Sequence, residues 1–414
     1  MFVQVSLVGK NKMDYGKTFV LLAFVLLIML QISPAHTKTL SVPESSPTIK
    51  GALIKAQPGD IVLVSCGTYF EHDIIMKPGV ALWSGTLQPG CVTIDAQGKG
   101  QVFHFTDADT NTHLVGFTLR GGIAQGHRGD QGGAIHCKNS SPRISNCIME
   151  GNTAGKGGAF FSDPTSSPVL SNCLFENNEA TTRGGAVHCL GTAIFRQCAF
   201  VNNFALIGGG LHLGKGSTVE LASCSLGRNS AGNTGGAIHT ELAQCTITST
   251  IISDNWGGLG GSALSSVDSH VKIQHSTLYG NSSDTDGGVL ALEGIRPQLN
   301  NCIIANSKTA ILRADSDVPY FQGCNLYGNS SGDWVANLRS LARKNDNISQ
   351  DPQFCAPEYG NFSLKNSSAC LPGNNPSGNK RIVGAFGPGC ASAGNIAPQQ
   401  RSNTSGFQAV QAGL

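Results

Sequence analysis

From Cys147 to Cys324 the chain returns to the same chemistry every 22–26 residues. With the first of these cysteines as an index, the equivalent positions are Cys147, Cys173, Cys198, Cys224, Thr250, Ser276, Cys302 and Cys324. Two residues later every repeat is apolar, as at Met149, Phe175, Phe200 and Leu226. Three residues before the index, from Ile144 to Phe321, every repeat is apolar again. Five residues after it stand Asn152, Asn178, Asn203, Asn229, Asn255, Asn281 and Asn329, with Ser307 the one departure. A double glycine follows in most repeats, then an apolar residue, as in Gly157-Gly158 before Phe160. A fixed period of this length constrains the fold more than any local propensity.

Each repeat holds three short strand-like pieces. Strands rise about 3.3 Å per residue and neighbours lie about 4.8 Å apart, so one repeat closes a coil and stacks on the next. Like residues then lie over like residues. The spacing predicts an all-β solenoid, a right-handed parallel β-helix of about ten coils over residues 60–330, with three short strands per coil. By parity the position after the index, mixed in chemistry, faces outward. The asparagine column suits turns with a left-handed backbone and amides that bond from coil to coil. The glycine pairs suit a bend where positive φ or crowding excludes a Cβ. Neither a leucine-rich motif nor a 40-residue period recurs.

GGA followed by an aliphatic residue, with FxxN at Phe175 to Asn178 and Phe200 to Asn203, resembles the repeats of chlamydial polymorphic outer-membrane proteins. The opening TIKGALIKAQPGDIVLVSCGTYFEHDIIMKPGVAL (48–82) is similar to the first coil of secreted β-helix repeat proteins of the pectate-lyase-like superfamily. So are DPQFCAPEYGNFSLKNSSACLPG (351–373) and VGAFGPGC from Val383. The resemblance spans about 47–390 and implies the fold. That superfamily includes lyases, hydrolases, epimerases and non-catalytic surface proteins, so function has to come from a site.

The ends carry their own signals. Lysines precede a twelve-residue apolar run, Phe19 to Leu30, too short for the ~20 residues that span a bilayer. Ser33-Pro34-Ala35 then offers small residues, so 1–35 reads as a signal peptide cleaved after Ala35. The β-helix domain with its caps is expected over 36–390, and a polar, disordered tail over 391–414. Helical caps are expected at 46–56 and 333–344, because an open coil exposes unpaired strand edges. Lys10, Lys12, Lys17 and Asp14 leave with the signal, so 25 basic and 25 acidic residues remain. That neutrality excludes nucleic acid and a polybasic membrane role. The mature chain is expected to be a secreted or cell-surface monomer without a transmembrane helix.

Fourteen cysteines in an exported chain suggest disulfides. The index cysteines, however, face inward with parallel Cβ vectors about 4.8 Å apart, beyond the usual disulfide range. Cys147, Cys173, Cys198, Cys224, Cys302 and Cys324 are therefore expected to be reduced core fillers. Bridges stay open among Cys66, Cys91, Cys355, Cys370 and Cys390. No CxxC pair points to zinc.

Two sets of residues carry candidate chemistry. His136, Phe161, His188, His212 and His239 each follow an inward residue of the glycine strand, so parity turns them outward as one surface row. Such a row suits sugars or a transition metal; the plain alternative is a duplicated, solvated strand. Neighbouring imidazoles would resist joint protonation, spreading their pKa values and weakening metal binding below about pH 6. The second set, Asp107, Asp109, Arg120, His127, Arg128 and Asp130, mixes acids, a base and guanidinium groups. It is the weak catalytic candidate, because no carboxylate column recurs along the coils. The reading these residues favour is a non-catalytic adhesion or glycan-binding scaffold with no cofactor. Its partner is a polysaccharide or a cell-surface molecule. The alternative is a polysaccharide lyase, for which Ca²⁺ would be the cofactor.

Overall fold

Apart from an antiparallel pair near the C-terminal end, Phe354–Ala356 with Asn361–Leu364, strands of two to five residues stack in parallel, each paired with its counterpart one coil away. The computed structural model describes residues 37–390 apart from 125–129, 285–287, 309–310 and 315–317; the side chains of 311–314, 336 and 337 are also outside it. The expected signal peptide and tail lie outside the described residues. Sheets of twelve, eleven and ten strands run along the solenoid. The first goes from Thr39–Val42 to Tyr320–Gln322, the second from Gly67–Tyr69 to Asn325–Tyr327, and the third from Ile74–Met76 to Ile311–Ala314. This is an all-β parallel solenoid of about ten coils.

Three strands per coil is incomplete. A fourth sheet of six strands, from Ile123–Ala124 to Trp256–Gly257, occupies the middle coils. Its register slips at Ala154/Lys156, between Glu179 and Arg183, and at Ala205/Ile207, so its residues keep no clean period of two.

The columns of the repeat are columns of the core. Phe175 and Phe200 are paired across coils and stack at 4.8 Å, with Phe195 edge-on to both. The six index cysteines are buried and free. Thr250 and Ser276 replace the thiol with a hydroxyl that accepts from the backbone N–H of the preceding coil. From Asn152 to Asn281 each asparagine amide donates to the next, at 3.0 Å from Asn152 to Asn178 and 2.9 Å from Asn203 to Asn229, and Ser307 then accepts from the Asn281 backbone N–H. Left-handed backbone falls one residue earlier than the sequence suggested. Asn177, Asn202 and Arg228 have φ of 54°, 55° and 54°, while the ladder asparagines do not. At the glycine pair the two roles separate: Gly157 has φ 62°, and a Cβ on Gly158 would collide with the Gly185 carbonyl oxygen.

An α-helix, Ile49–Lys55, covers the first coil with Ile49, Ala52 and Leu53 buried. Thr48 caps it, and the Glu71 carboxylate accepts from the N–H groups of Ile49 and Lys50. Negative charge is favourable at that helix end. The second expected cap is reduced to a 3₁₀ turn, Ala336–Leu341, without a side-chain cap. Asp333, where the expected helix was to begin, accepts from the Asn329 amide and backbone, ending the asparagine ladder. Trp334 and Leu338 still close the core over Phe321.

The outward column after the index is not uniformly solvated. Beyond the last coils the chain folds back, and Leu364, Cys370, Leu371 and Val383 bury Ile303 and Ala305. Tyr279, Phe354 and Phe362 pack edge to face beside them. Disulfides join Cys66 to Cys91 and Cys355 to Cys390, both outside the index column, and Cys370 stays free.

This register gives a direct test. Phe200→Ala, fully buried, is expected to cost about 3–5 kcal/mol in urea unfolding, and Ser225→Ala on the opposite face less than about 0.5 kcal/mol. Equal effects would mean that the faces are misassigned.

Candidate functional site

The outward column of the third sheet carries a row of imidazole and phenyl rings. Cα partners run Ile75, His104, His136, Phe161, His188, His212, His239 and Ser265, one per coil. Phe161 stacks on His188 at 5.4 Å, His188 on His212 at 4.7 Å, and His212 on His239 at 5.1 Å. His136 meets Phe161 edge-on.

The row is continuous but not a surface row. Phe161, His188, His212 and His239 are buried, and only His136 is partly exposed. Parity placed them outside the main core correctly; what it missed is the fourth sheet. The ends of its strands bring Lys156, Arg183 and Thr234 beside the histidines. Burial, helped by Lys156 and Arg183, pushes the His188 imidazole down to about 3. Burial and then Arg183 push His239 down to about 4, and His212 is lowered further still. These rings are neutral, and burial rather than mutual repulsion is the larger cause. Proton competition for them near pH 6 is accordingly not expected.

Toward the N-terminal coils the column opens. Ile75, His104 and His136, with Gln101 and Thr106, line a shallow cleft of about 360 Å³. Asp73 stands at its edge and accepts from His72 Nδ1 and His104 Nε2, both at 3.0 Å. Burial alone would raise the Asp73 carboxyl, but the hydrogen bonds from His104 and His72 outweigh it and hold the group below its ordinary value. An ionised carboxylate only accepts, so both ring nitrogens donate and the His104 tautomer is fixed. The His136 imidazole is lowered by burial and then by neighbouring His104. The side chain of Gln101 is tied to the carbonyls of Gln131 and Gly132, which anchors the cleft wall. Ile75, 70% exposed, adds an apolar surface beside these polar groups.

His72, Asp73, Ile75 and His104 escaped sequence reasoning. The available signal was the Phe103-His104-Phe105 alternation, which puts His104 in register with His136. The weak catalytic set is not brought together. Asp107 accepts from Asn139 in a turn after the third sheet, and Asp109 accepts from Asn111 and Thr112 within its own turn. Arg120 pairs with Asp95 on the second sheet, and the backbone carbonyl of Asp130 accepts from the Lys156 N–H. His127 and Arg128 lie outside the described residues.

Residues 115–226 match the family model of the right handed beta helix region. No curated protein matches the chain. Among solved structures, the pectate lyase Pel9A is similar at a TM-score of 0.52 and 14% identity, covering 85% of this chain and 97% of that one. A mannuronic acid specific polysaccharide family 6 lyase from human gut microbiota is also similar, at a TM-score of 0.35 and 14% identity over 72% of this chain and 88% of that one. The fold is thus that of a right-handed β-helix, as in that pectate lyase.

Proposed function

We propose that the protein is an exported β-helix that binds polysaccharide, as a non-catalytic scaffold, in the cleft at Ile75, His104 and His136. The observation that carries this reading is the pairing of an exposed apolar surface with oriented polar groups. Sugars present an apolar face and a rim of hydroxyls, and such sites combine apolar lining with a few placed donors and acceptors. His104 is held by Asp73, and His136 offers a neutral ring. Secretion through cleavage after Ala35 belongs to the same reading, and N-terminal sequencing of the exported protein tests it. Among the described residues no helix is long and apolar enough to cross a membrane.

A lyase is the second reading, favoured by the Asp73–His104 pair, since a carboxylate-oriented imidazole is a usual general base. Calorimetric titration with neutral and uronate oligosaccharides, alongside absorbance of unsaturated product with and without Ca²⁺, separates the two. The scaffold reading expects binding weakened at least about tenfold by Ile75→Ala and by His104→Ala, with no product formed. Product formation abolished by Asp73→Asn would assign the lyase instead.

A further inference from the structure

We infer that His212, His239 and Glu241 form a binding site for one first-row divalent metal ion, with zinc as its best-suited occupant. The site is distinct from the cleft. His239 and Glu241 are two residues apart on one strand, Ile238–Glu241, and so share a face; His212 is the Cα partner of His239 on the preceding coil. Their ligand atoms lie within 4.8 Å of one another, the only such group of three metal-donor side chains among the described residues.

Two further observations point to a ligand. His212 is 1% exposed, and neither of its ring nitrogens has a hydrogen-bond partner. A buried polar atom left unpaired costs about 1–3 kcal/mol, and a coordinate bond would relieve one of the two. His239 Nδ1, by contrast, lies 3.1 Å from Ser265 Oγ and 3.4 Å from Thr234 Oγ1. That leaves Nε2 for an ion, with a hydroxyl orienting the ring from behind, as outer partners of metal-bound histidines do. Both imidazoles are neutral, the form that ligates.

Glu241 supplies the negative charge. Its side chain is 41% exposed, at the mouth of the site, and lies 3.7 Å from the Arg183 guanidinium. Zinc bonds of about 2.0–2.1 Å place tetrahedral donors about 3.3 Å apart, so the three side chains draw inward on binding. Glu241, at the strand end, is the freest to move. Arg183 occupies its carboxylate until an ion displaces it, and its charge opposes a cation. Two imidazoles and a carboxylate leave a fourth position for water, the donor set of an open zinc site.

The experiment is calorimetric titration of the untagged, chelator-dialysed full chain with zinc chloride near neutral pH, with cobalt absorption as a second readout. The expected result is one ion per chain. Glu241→Gln should weaken binding at least about tenfold and His212→Phe should abolish it. Arg183→Gln, a change at an exposed side chain, should tighten binding by removing the competing cation. If His212→Phe fails to fold, the opposite shifts of Glu241→Gln and Arg183→Gln decide alone. Absence of stoichiometric binding by the wild type would overturn the site, as would equal affinities for wild type, Glu241→Gln and Arg183→Gln.

Discussion

Asn203→Ala is expected to cost about 3–5 kcal/mol, far more than loss of one exposed amide. Asn203 Oδ1 accepts from both the backbone N–H and the side chain of Asn178, and its own amide donates to the Phe175 carbonyl and to Asn229 Oδ1. All of this lies in a turn between coils, with Asn203 fully buried. Alanine leaves the Asn178 N–H and the Phe175 carbonyl without these partners, at about 1–3 kcal/mol each, besides breaking the ladder. Asn202→Ala is the control. Asn202 is exposed, its φ is 55°, and it accepts only from Arg228, so its replacement is expected to cost about 1 kcal/mol. Urea midpoints measure both. Matching midpoints would show that the buried ladder adds nothing beyond backbone geometry.

Acid is the second large effect. His188 and His239 have native values of about 3 and about 4, with His212 lower, against about 6.5 in the unfolded chain. Above about pH 6.5 all three are neutral in both states and their burial adds no proton penalty. As the pH falls below that value the unfolded chain takes up protons that the native state refuses, so stability falls. Each ring contributes up to about 1.4 kcal/mol per pH unit, so the three together should remove about 4 kcal/mol by about pH 5.5. Lys156 and Arg183 beside the row act in the same direction. A triple variant, His188→Phe, His212→Phe and His239→Phe, should lose this dependence, because Phe161 already fills the equivalent place in the column. It should also be no less stable near neutrality, since the unpaired nitrogens of His188 and His212 disappear. An unchanged acid slope in the variant would put the protonated groups elsewhere.

Most of the fold was legible because stacking forces it. A residue over its own counterpart meets the same neighbours in every coil, so apolar, asparagine and small-residue columns survive in the sequence. The fourth sheet was not legible. Its strands, such as Glu179–Arg183 and Ser230–Thr234, are polar and carry a register slip, so no period of two marks them. That one omission turned a buried ring stack into an apparent surface row. The C-terminal fold-back escaped for a different reason: Phe354, Phe362 and Val383 belong to no repeat and find Tyr279 and Ile303 only in three dimensions. The cleft lies in the N-terminal coils, ahead of the regular period, and Asp73 reaches it from just before the strand Ile74–Met76. Spacing alone could not join it to His104.

The central claim is that polysaccharide binds where the ring column opens, and imidazole nitrogen NMR of the full chain tests it at single residues. On titration with an oligosaccharide that binds by calorimetry, the His104 and His136 signals are expected to move to saturation while buried His212 stays fixed. Binding that leaves His104 and His136 unmoved would contradict the assignment of the cleft.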